Sequence, residues 1–297
     1  AHRVSVAFGV GARVDGRAFI PEAIARGAGA VLWESQGFRW DAGWTVPNAG
    51  IDRLAAKLGH IADAIYGHPS RSLWMVGVTG TNGKTTTSQW IAQSLDLAGR
   101  RCGVIGTLGV GLAGALEPSA NTTPDAALFH ETLARFRDAG AKAVSMEVSS
   151  IGLDQGRVNG ATFDVAVFTN LTRDHLDYHG SMAEYGEAKA KLFSWPGLAC
   201  SVINADDPFG QRLIDEVRGR GGRAMSYGAA NAEVAATSVA MGARGLSLGV
   251  ATPWGRGEVD TGVVGAFNVS NLLATLGALL ASDVALETAL DALSRVA

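Results

Sequence analysis

The stretch Val76-Gly-Val-Thr-Gly-Thr-Asn-Gly-Lys-Thr-Thr-Thr87 limits what this chain can fold into more than any other part of it. It links an apolar run, 73–78, to an amphipathic stretch, 85–98, closed by Gly99. Strand, glycine-rich turn and helix in that order aim backbone N–H groups into a concave loop, and glycines without Cβ let the loop wrap an anion. Lys84 can reach the terminal phosphates of a nucleotide, and the Thr85 hydroxyl can hold Mg2+. The spacing departs from the strict phosphate-loop pattern once: its first glycine would fall on Val78, while glycines stand at 77 and 80. A plain strand–helix turn with a solvated lysine is the competing reading.

Such a loop needs a sheet behind it. Apolar strands are expected at 103–106, 143–148, 165–169 and 201–203, and helices at 125–139, 182–192 and 208–218. Residues 233–265 read as short β segments and 268–295 as two closing helices. This alternation predicts an α/β fold, a P-loop-type, mostly parallel sheet with helices on both faces. The 39 glycines beside only 8 prolines suit many tight strand–helix turns. Residues 1–70 read as a smaller, partial α/β domain, with a helix at 19–27, a strand at 30–33 and a helical stripe of Ile51, Leu54, Leu58, Ile61 and Ile65. Gly67-His-Pro-Ser70 breaks the chain, so the second domain is expected over 71–297.

Lys plus Arg number 25 and Asp plus Glu 28, a net charge of −3. Nucleic-acid binders concentrate positive charge, so no nucleic-acid partner is expected. Cys102 and Cys200 are too few for a disulfide framework or a thiolate zinc site, which suits a reducing compartment. The most apolar stretch, 272–281, is far shorter than the roughly 18 residues a bilayer requires, and the N-terminus has no signal-peptide pattern. A soluble, cytoplasmic monomer without membrane insertion is expected.

Further residues carry chemistry. Glu147 ends an apolar run, at the carboxyl end of a parallel strand where α/β folds bind ligands, and a carboxylate there suits Mg2+. A solvent-facing glutamate is the alternative. Asp174-His-Leu-Asp-Tyr-His179 crowds two histidines and two aspartates after a strand, for a site or for local capping. Lys189, from composition alone, reads as a solvated helix lysine, and Lys191 points to another side. Asn121, Thr122 and Thr123 before Pro124 also make a good loop, while Ser149, Gln155 and Arg157 offer groups suited to carboxylates and peptides. Asn268 and Asn271 sit one turn apart at a helix start, where capping is the competing use.

Gly80-Thr-Asn-Gly-Lys-Thr-Thr86 resembles the nucleotide loop of the Mur ligases and their folylpolyglutamate synthetase relatives. Asp15-Gly-Arg-Ala-Phe-Ile20, Asn121-Thr-Thr-Pro124, Met146-Glu-Val-Ser-Ser150, Thr169-Asn-Leu-Thr-Arg-Asp-His-Leu-Asp-Tyr-His179 and Gly265-Ala-Phe-Asn-Val-Ser-Asn271 narrow the likeness to the Mur ligases that add the third residue of the muramoyl peptide. The likeness runs from about residue 11 to the last residue. It implies an ATP-dependent, ADP-forming carboxylate–amine ligase of peptidoglycan precursor synthesis. The partners implied are UDP-N-acetylmuramoyl-L-alanyl-D-glutamate and an amino acid, with meso-diaminopimelate expected.

By that resemblance ATP meets Gly80, Thr81, Asn82, Gly83, Lys84, Thr85, Thr86, Asn268 and Asn271. Lys84, Glu147, His175 and Lys189 are catalytic, and two Mg2+ ions lie near Thr85, Glu147, His175 and Lys189. Lys189 carries a CO2-derived carbamate. Asn121, Thr122, Thr123, Ser149, Gln155 and Arg157 hold the muramoyl peptide. Imidazole is an unusual magnesium ligand, so His175 rests on the resemblance alone. Two departures stand out. Ile151 replaces the histidine of many relatives, and the early Asp-Ser-Arg segment is missing where the chain opens Ala1-His-Arg-Val-Ser-Val-Ala-Phe8, so uridine contacts are assigned to no residue. The family's amino-acid-binding C-terminal domain is expected to lie beyond Ala297. A folylpolyglutamate-synthetase-like ligase and a non-catalytic nucleotide switch remain as other readings.

Overall fold

The computed structural model describes residues 5–9, 14–119, 121–229, 231–243 and 245–296. Residues 1–4, residues 10–13 where the family likeness begins, and Ala297 lie outside the described residues.

Two separate sheets form. The first has three parallel strands in chain order, β1 (Ser5–Phe8), β2 (Ala30–Glu34) and β3 (Asn48–Ile51), with α1 (Ile20–Ala25) between the first two and α2 (Leu54–Ile65) after the third. The expected stripe from Ile51 to Ile65 needs correction: Ile51 ends β3, and Ile65 is 61% exposed. The buried residues of α2 are Leu54, Gly59, Ala62 and Asp63. A side chain at Gly59 would collide with the Asn159 carbonyl, so the smallest residue, not the largest, selects the packed face.

The second sheet is built from β4 (Trp74–Thr79), β5 (Cys102–Gly106), the hairpin β6 (Gly109–Leu112) and β7 (Ala115–Glu117), β8 (Ala143–Glu147), β9 (Val165–Phe168), β10 (Cys200–Asn204), β11 (Ala224–Gly228) and the meander β12 (Val234–Gly242), β13 (Gly245–Thr252) and β14 (Gly255–Thr261). Across the sheet the order is β14-β13-β12-β11-β10-β9-β4-β8-β5-β6-β7. Strands from β5 through β11 in that order run parallel, and antiparallel hairpins finish both margins. The helices are α3 (Lys84–Leu97), α4 (Ala126–Asp138), α5 (Ser150–Asp154), α6 (Leu176–His179), α7 (Met182–Ala190), α8 (Pro208–Gly219), α9 (Phe267–Ala281) and α10 (Leu286–Ser294). The helix expected over 182–192 tightens to a 3-10 turn at Lys191–Ser194, and the segments expected to be short in 233–265 are strands of 9, 8 and 7 residues.

Helices cover both faces, so the central strands are apolar throughout rather than alternating. One face buries Val76, Val78, Val104 and Val167 with Ile91 and Leu95 of α3 and Leu272, Leu276 and Leu279 of α9. The other buries Met75, Ile105, Met146 and Phe168 with Phe129 and Leu133 of α4 and Leu213 of α8. Each such side chain contributes about 1.5–3 kcal/mol by leaving water. The apolar stretch 272–281 is therefore a core helix, and its all-round apolarity follows from burial among sheet, α3 and α10. Among the described residues no helix is long and apolar enough to cross a membrane.

Candidate active site

From β4 the sheet grows to one side through β8 and β5 and to the other through β9, β10 and β11. The crevice at the carboxyl ends of β4, β8 and β9 is where open α/β sheets bind ligands. The loop 80–83 crosses it. A Cβ at Gly80 would strike the Thr169 hydroxyl, and one at Gly83, which has φ +82, would strike Asn271 Oδ1. Only glycine satisfies both conditions without strain. The segment after β9 clamps the loop: Thr169 Oγ1 donates to Asn82 O at 2.6 Å, Asn82 N to Asn170 Oδ1 at 3.0 Å, and Thr81 N to Asn170 O at 2.8 Å.

Two lysine side-chain nitrogens meet on one carbonyl. Lys84 Nζ donates to Gly80 O at 3.0 Å and to Thr81 O at 2.8 Å, and Lys189 Nζ, from α7, donates to the same Gly80 O at 2.7 Å. Lys189 is 1% exposed, which corrects the solvated-lysine reading. Its Nζ lies 4.3 Å from the ring centroid of Tyr185, one helical turn earlier. Burial pushes the Lys189 amine down to about 6, the Lys84 charge acts in the same direction, and Asp174 opposes it. Burial lowers Lys84 as well, with Glu147 and Asp174 pulling back. Lys191, two residues on, is half-exposed and pairs with Asp154 Oδ1 at 2.7 Å.

Glu147 is also buried, at 1% exposure, which removes the solvent-facing alternative. It accepts from Thr85 Oγ1 at 2.9 Å, Thr107 N at 2.7 Å and Thr107 Oγ1 at 3.2 Å. Its main-chain carbonyl accepts from Thr123 Oγ1 at 3.0 Å, and Ser149 N donates to that same hydroxyl at 3.0 Å. Arg157 Nη1 donates to Thr123 O at 2.8 Å, while Gln155 Oε1 holds Arg157 Nε and Nη2 at 2.9 and 2.8 Å. Thr123, Ser149, Gln155 and Arg157 thus form one connected patch beside Glu147, and Thr122 joins it through Thr107, whose Oγ1 lies 3.0 Å from Thr122 Oγ1. Asn121 is exposed and borders it.

His175 stands apart. It sits at φ 50 before α6, with Nε2 3.5 Å from Asp174 Oδ2 and its ring 6.1 Å from that of Tyr185. Of the four expected metal ligands, only Thr85 and Glu147 touch. Among the described residues no three His, Cys, Asp or Glu side chains cluster as metal ligands would. Mg2+ keeps several waters and is commonly bound by one or two carboxylates plus substrate phosphates. The hard oxygens of Thr85 and Glu147 beside a phosphate loop fit that donor set.

Asn268 Nδ2 donates to Val264 O at 2.8 Å and Asn271 Nδ2 to Asn268 Oδ1 at 2.9 Å. Neither caps α9, whose N-cap residue, Ala266, makes no side-chain bond. Asn271 instead lines a cleft beside the loop with Asn82, Gly83, Thr86, Asn170 and Phe267, a residue 72% exposed. Thr107 and Tyr185 carry no motif-level signal of a role, and Asn170 and Phe267 lie within motif stretches that assign them none. Position was the available clue: Thr107 follows a strand's carboxyl end, and Tyr185 lies four residues before Lys189 on one helix face.

The chain belongs to the Mur ligase family: residues 78–279 match the Mur ligase middle domain. It is 50% identical over 287 residues to the UDP-N-acetylmuramoyl-L-alanyl-D-glutamate–2,6-diaminopimelate ligase of Chromobacterium violaceum, covering 96% of this chain and 58% of that protein. With the Pseudomonas aeruginosa protein of that name it shares 52% identity over 270 residues, 91% of this chain and 55% of the relative. The chain thus spans under two thirds of these relatives. A solved structure of a ligase with the same name superimposes with a TM-score of 0.86 at 30% identity, over 100% of this chain and 61% of the other. Folylpolyglutamate synthase of Mycobacterium tuberculosis, at 18% identity and a TM-score of 0.68 over 82% of this chain and 63% of its own, shares the fold.

Proposed function

We propose that this chain carries the ATP-binding and muramoyl-peptide-binding parts of an ADP-forming ligase that joins meso-diaminopimelate to UDP-N-acetylmuramoyl-L-alanyl-D-glutamate. One observation carries the reading: the phosphate loop, buried Glu147 and buried Lys189 converge at the strand ends beside the Thr122–Arg157 patch. The identity of about half with ligases named for that substrate supports the choice over a folate substrate.

In this reading the free side-chain carboxylate of the glutamate attacks the terminal phosphorus of ATP, the bond to ADP breaks, and an acyl phosphate forms. The amine then attacks the acyl carbon, loses a proton, and phosphate leaves. The protein contributes positioning and charge. Loop N–H groups hold the phosphates, and Lys84 follows the charge of the transferring group. Arg157, held flat by Gln155, grips a substrate carboxylate. Asn268 and Asn271 lie on the adenine side. Thr85 and Glu147 would hold one Mg2+, which when bound neutralises phosphate charge; a second, between Glu147, His175 and Lys189, would need Lys189 as its carbamate and His175 turned in from its exposed position. Burial keeps the Lys189 amine uncharged and able to add CO2: its nitrogen bonds to carbon, a proton leaves, and an anionic carbamate replaces the neutral amine.

Residues 1–70 are assigned to the sugar-nucleotide end and 71–297 to ATP, in a cytoplasmic, monomeric protein. The test supplies the protein carrying this chain with ATP, Mg2+, the muramoyl dipeptide and diaminopimelate, and looks for tripeptide by mass. A protein that binds ATP and the dipeptide yet yields no tripeptide refutes the reading.

A further inference from the structure

We propose that Thr107 is a positioning residue that sets Glu147 and couples the muramoyl-peptide loop to the Mg2+-nucleotide site; this rests on the functional reading above. Thr107 follows Gly106, where any Cβ would strike Glu147 Oε1, so the glutamate side chain can lie across the end of β5. Thr107 then grips both carboxylate oxygens, Oε1 through its main-chain N–H at 2.7 Å and Oε2 through its hydroxyl at 3.2 Å. The same hydroxyl lies 3.0 Å from Thr122 Oγ1.

A hydroxyl has one proton, and a carboxylate only accepts. The Thr107 proton is therefore committed to Glu147, and Thr122 is the donor to Thr107. The result is a directed chain, Thr122 to Thr107 to Glu147 Oε2, and Thr85 donates to that same oxygen from the phosphate loop at 2.9 Å. One residue along, Thr123 holds the Glu147 main-chain carbonyl. The substrate loop thus reaches the Glu147 carboxylate through Thr107 and holds the Glu147 main chain directly. A muramoyl peptide is rich in acceptors. One that takes the Thr122 proton leaves Thr107 a weaker donor, because hydrogen bonds in a chain polarise each other, and frees Glu147 Oε2 for a cation.

The test titrates Mg2+ in the presence of ADP, by calorimetry, with the wild type, Thr107→Val and Thr107→Ser. Thr107→Val should weaken Mg2+-dependent ADP binding about tenfold, the low end of what losing an outer-shell partner of a metal ligand costs. ADP binding without Mg2+ should not change, and Thr107→Ser, which keeps the hydroxyl, should stay within about twofold of wild type. Saturating muramoyl dipeptide should tighten Mg2+-ADP binding in the wild type and leave Thr107→Val unresponsive. Equal Mg2+ dependence in Thr107→Val and wild type overturns the proposal, as does an equal loss in the serine variant. If the dipeptide does not bind the wild type at all, the functional reading falls, and the Mg2+ titration still decides the role of Thr107.

Discussion

Replacing Lys189 by methionine should make the protein more stable while it loses activity. The side chain is fully enclosed, and its amine is pushed from the ordinary 10.5 to about 6 by burial and by Lys84. Near neutral pH the unfolded chain therefore holds a proton that the folded chain lacks. Stability then rises with pH from the folded value up to the unfolded one, at 1.36 kcal/mol per pH unit. Deprotonation at pH 7 costs folding about 3–5 kcal/mol on this scale. Methionine fills nearly the same volume with nothing to ionise, and Gly80 O keeps Lys84 as its donor, so no buried acceptor is orphaned. Urea unfolding in CO2-free buffer with EDTA, run in parallel on both proteins, isolates the effect. At pH 7 the methionine variant should lead, and between pH 7 and 9 the wild type should recover about 2–3 kcal/mol of the difference. A difference that stays flat over that range, or a variant less stable at pH 7, would refute the buried neutral amine.

Lys84→Ala should lower ligation roughly 10²–10³-fold, about 3–4 kcal/mol of transition-state stabilisation, and a loss below tenfold in a steady-state ADP assay would remove the loop from the phosphate site. Lys189→Ala should be inactive and partly rescued by formate or acetate, whereas Lys191→Ala, which breaks only a half-exposed pair, should cost under about 1 kcal/mol and keep its activity. Gly83→Ala should weaken nucleotide binding in calorimetry and lower the melting temperature, because a left-handed backbone and the Asn271 amide both reject its methyl group. Leu276→Ala, in the packed middle of α9, should cost about 2–5 kcal/mol by denaturant unfolding without changing the affinity for ADP.

The strand–loop–helix of β4 and α3 is legible because three local signals agree there: an apolar run, glycines at the turn, and amphipathic spacing after it. Glu147 is locatable for a similar reason, as the charged residue that ends an apolar run. Its burial is not legible, since Thr85, Thr107 and the end of β5 come from elsewhere in the chain. Lys189 shows the limit most clearly: its helix looks like a surface helix in composition, and the enclosure is supplied by the loop 80–83 and by Tyr185. Crowding along the chain also misleads. His175 and His179 are four residues apart, yet a left-handed residue turns the first outward while the second is buried against Ser150 Oγ at 2.9 Å. The hairpin β6–β7 and the strand β11 give little signal, being short and lacking alternation, and the meander β12–β14 is rich in Ala, Gly and Ser.

The antiparallel margins of the large sheet decide whether copies of this protein stick together through their strands. A bare parallel edge such as β5, with all five residues buried, would present a row of unpaired amides and carbonyls flanked by apolar side chains. On that side the hairpin ends in β7, only three residues long and finished by Glu117. On the far side β14 turns Arg256, Glu258 and Asp260 outward while α10 packs against it. An incoming strand would have to strip water from those charges, so fibre-like growth is blocked at both ends. Excising residues 109–117 should therefore produce light-scattering aggregates at concentrations where the intact chain stays clear.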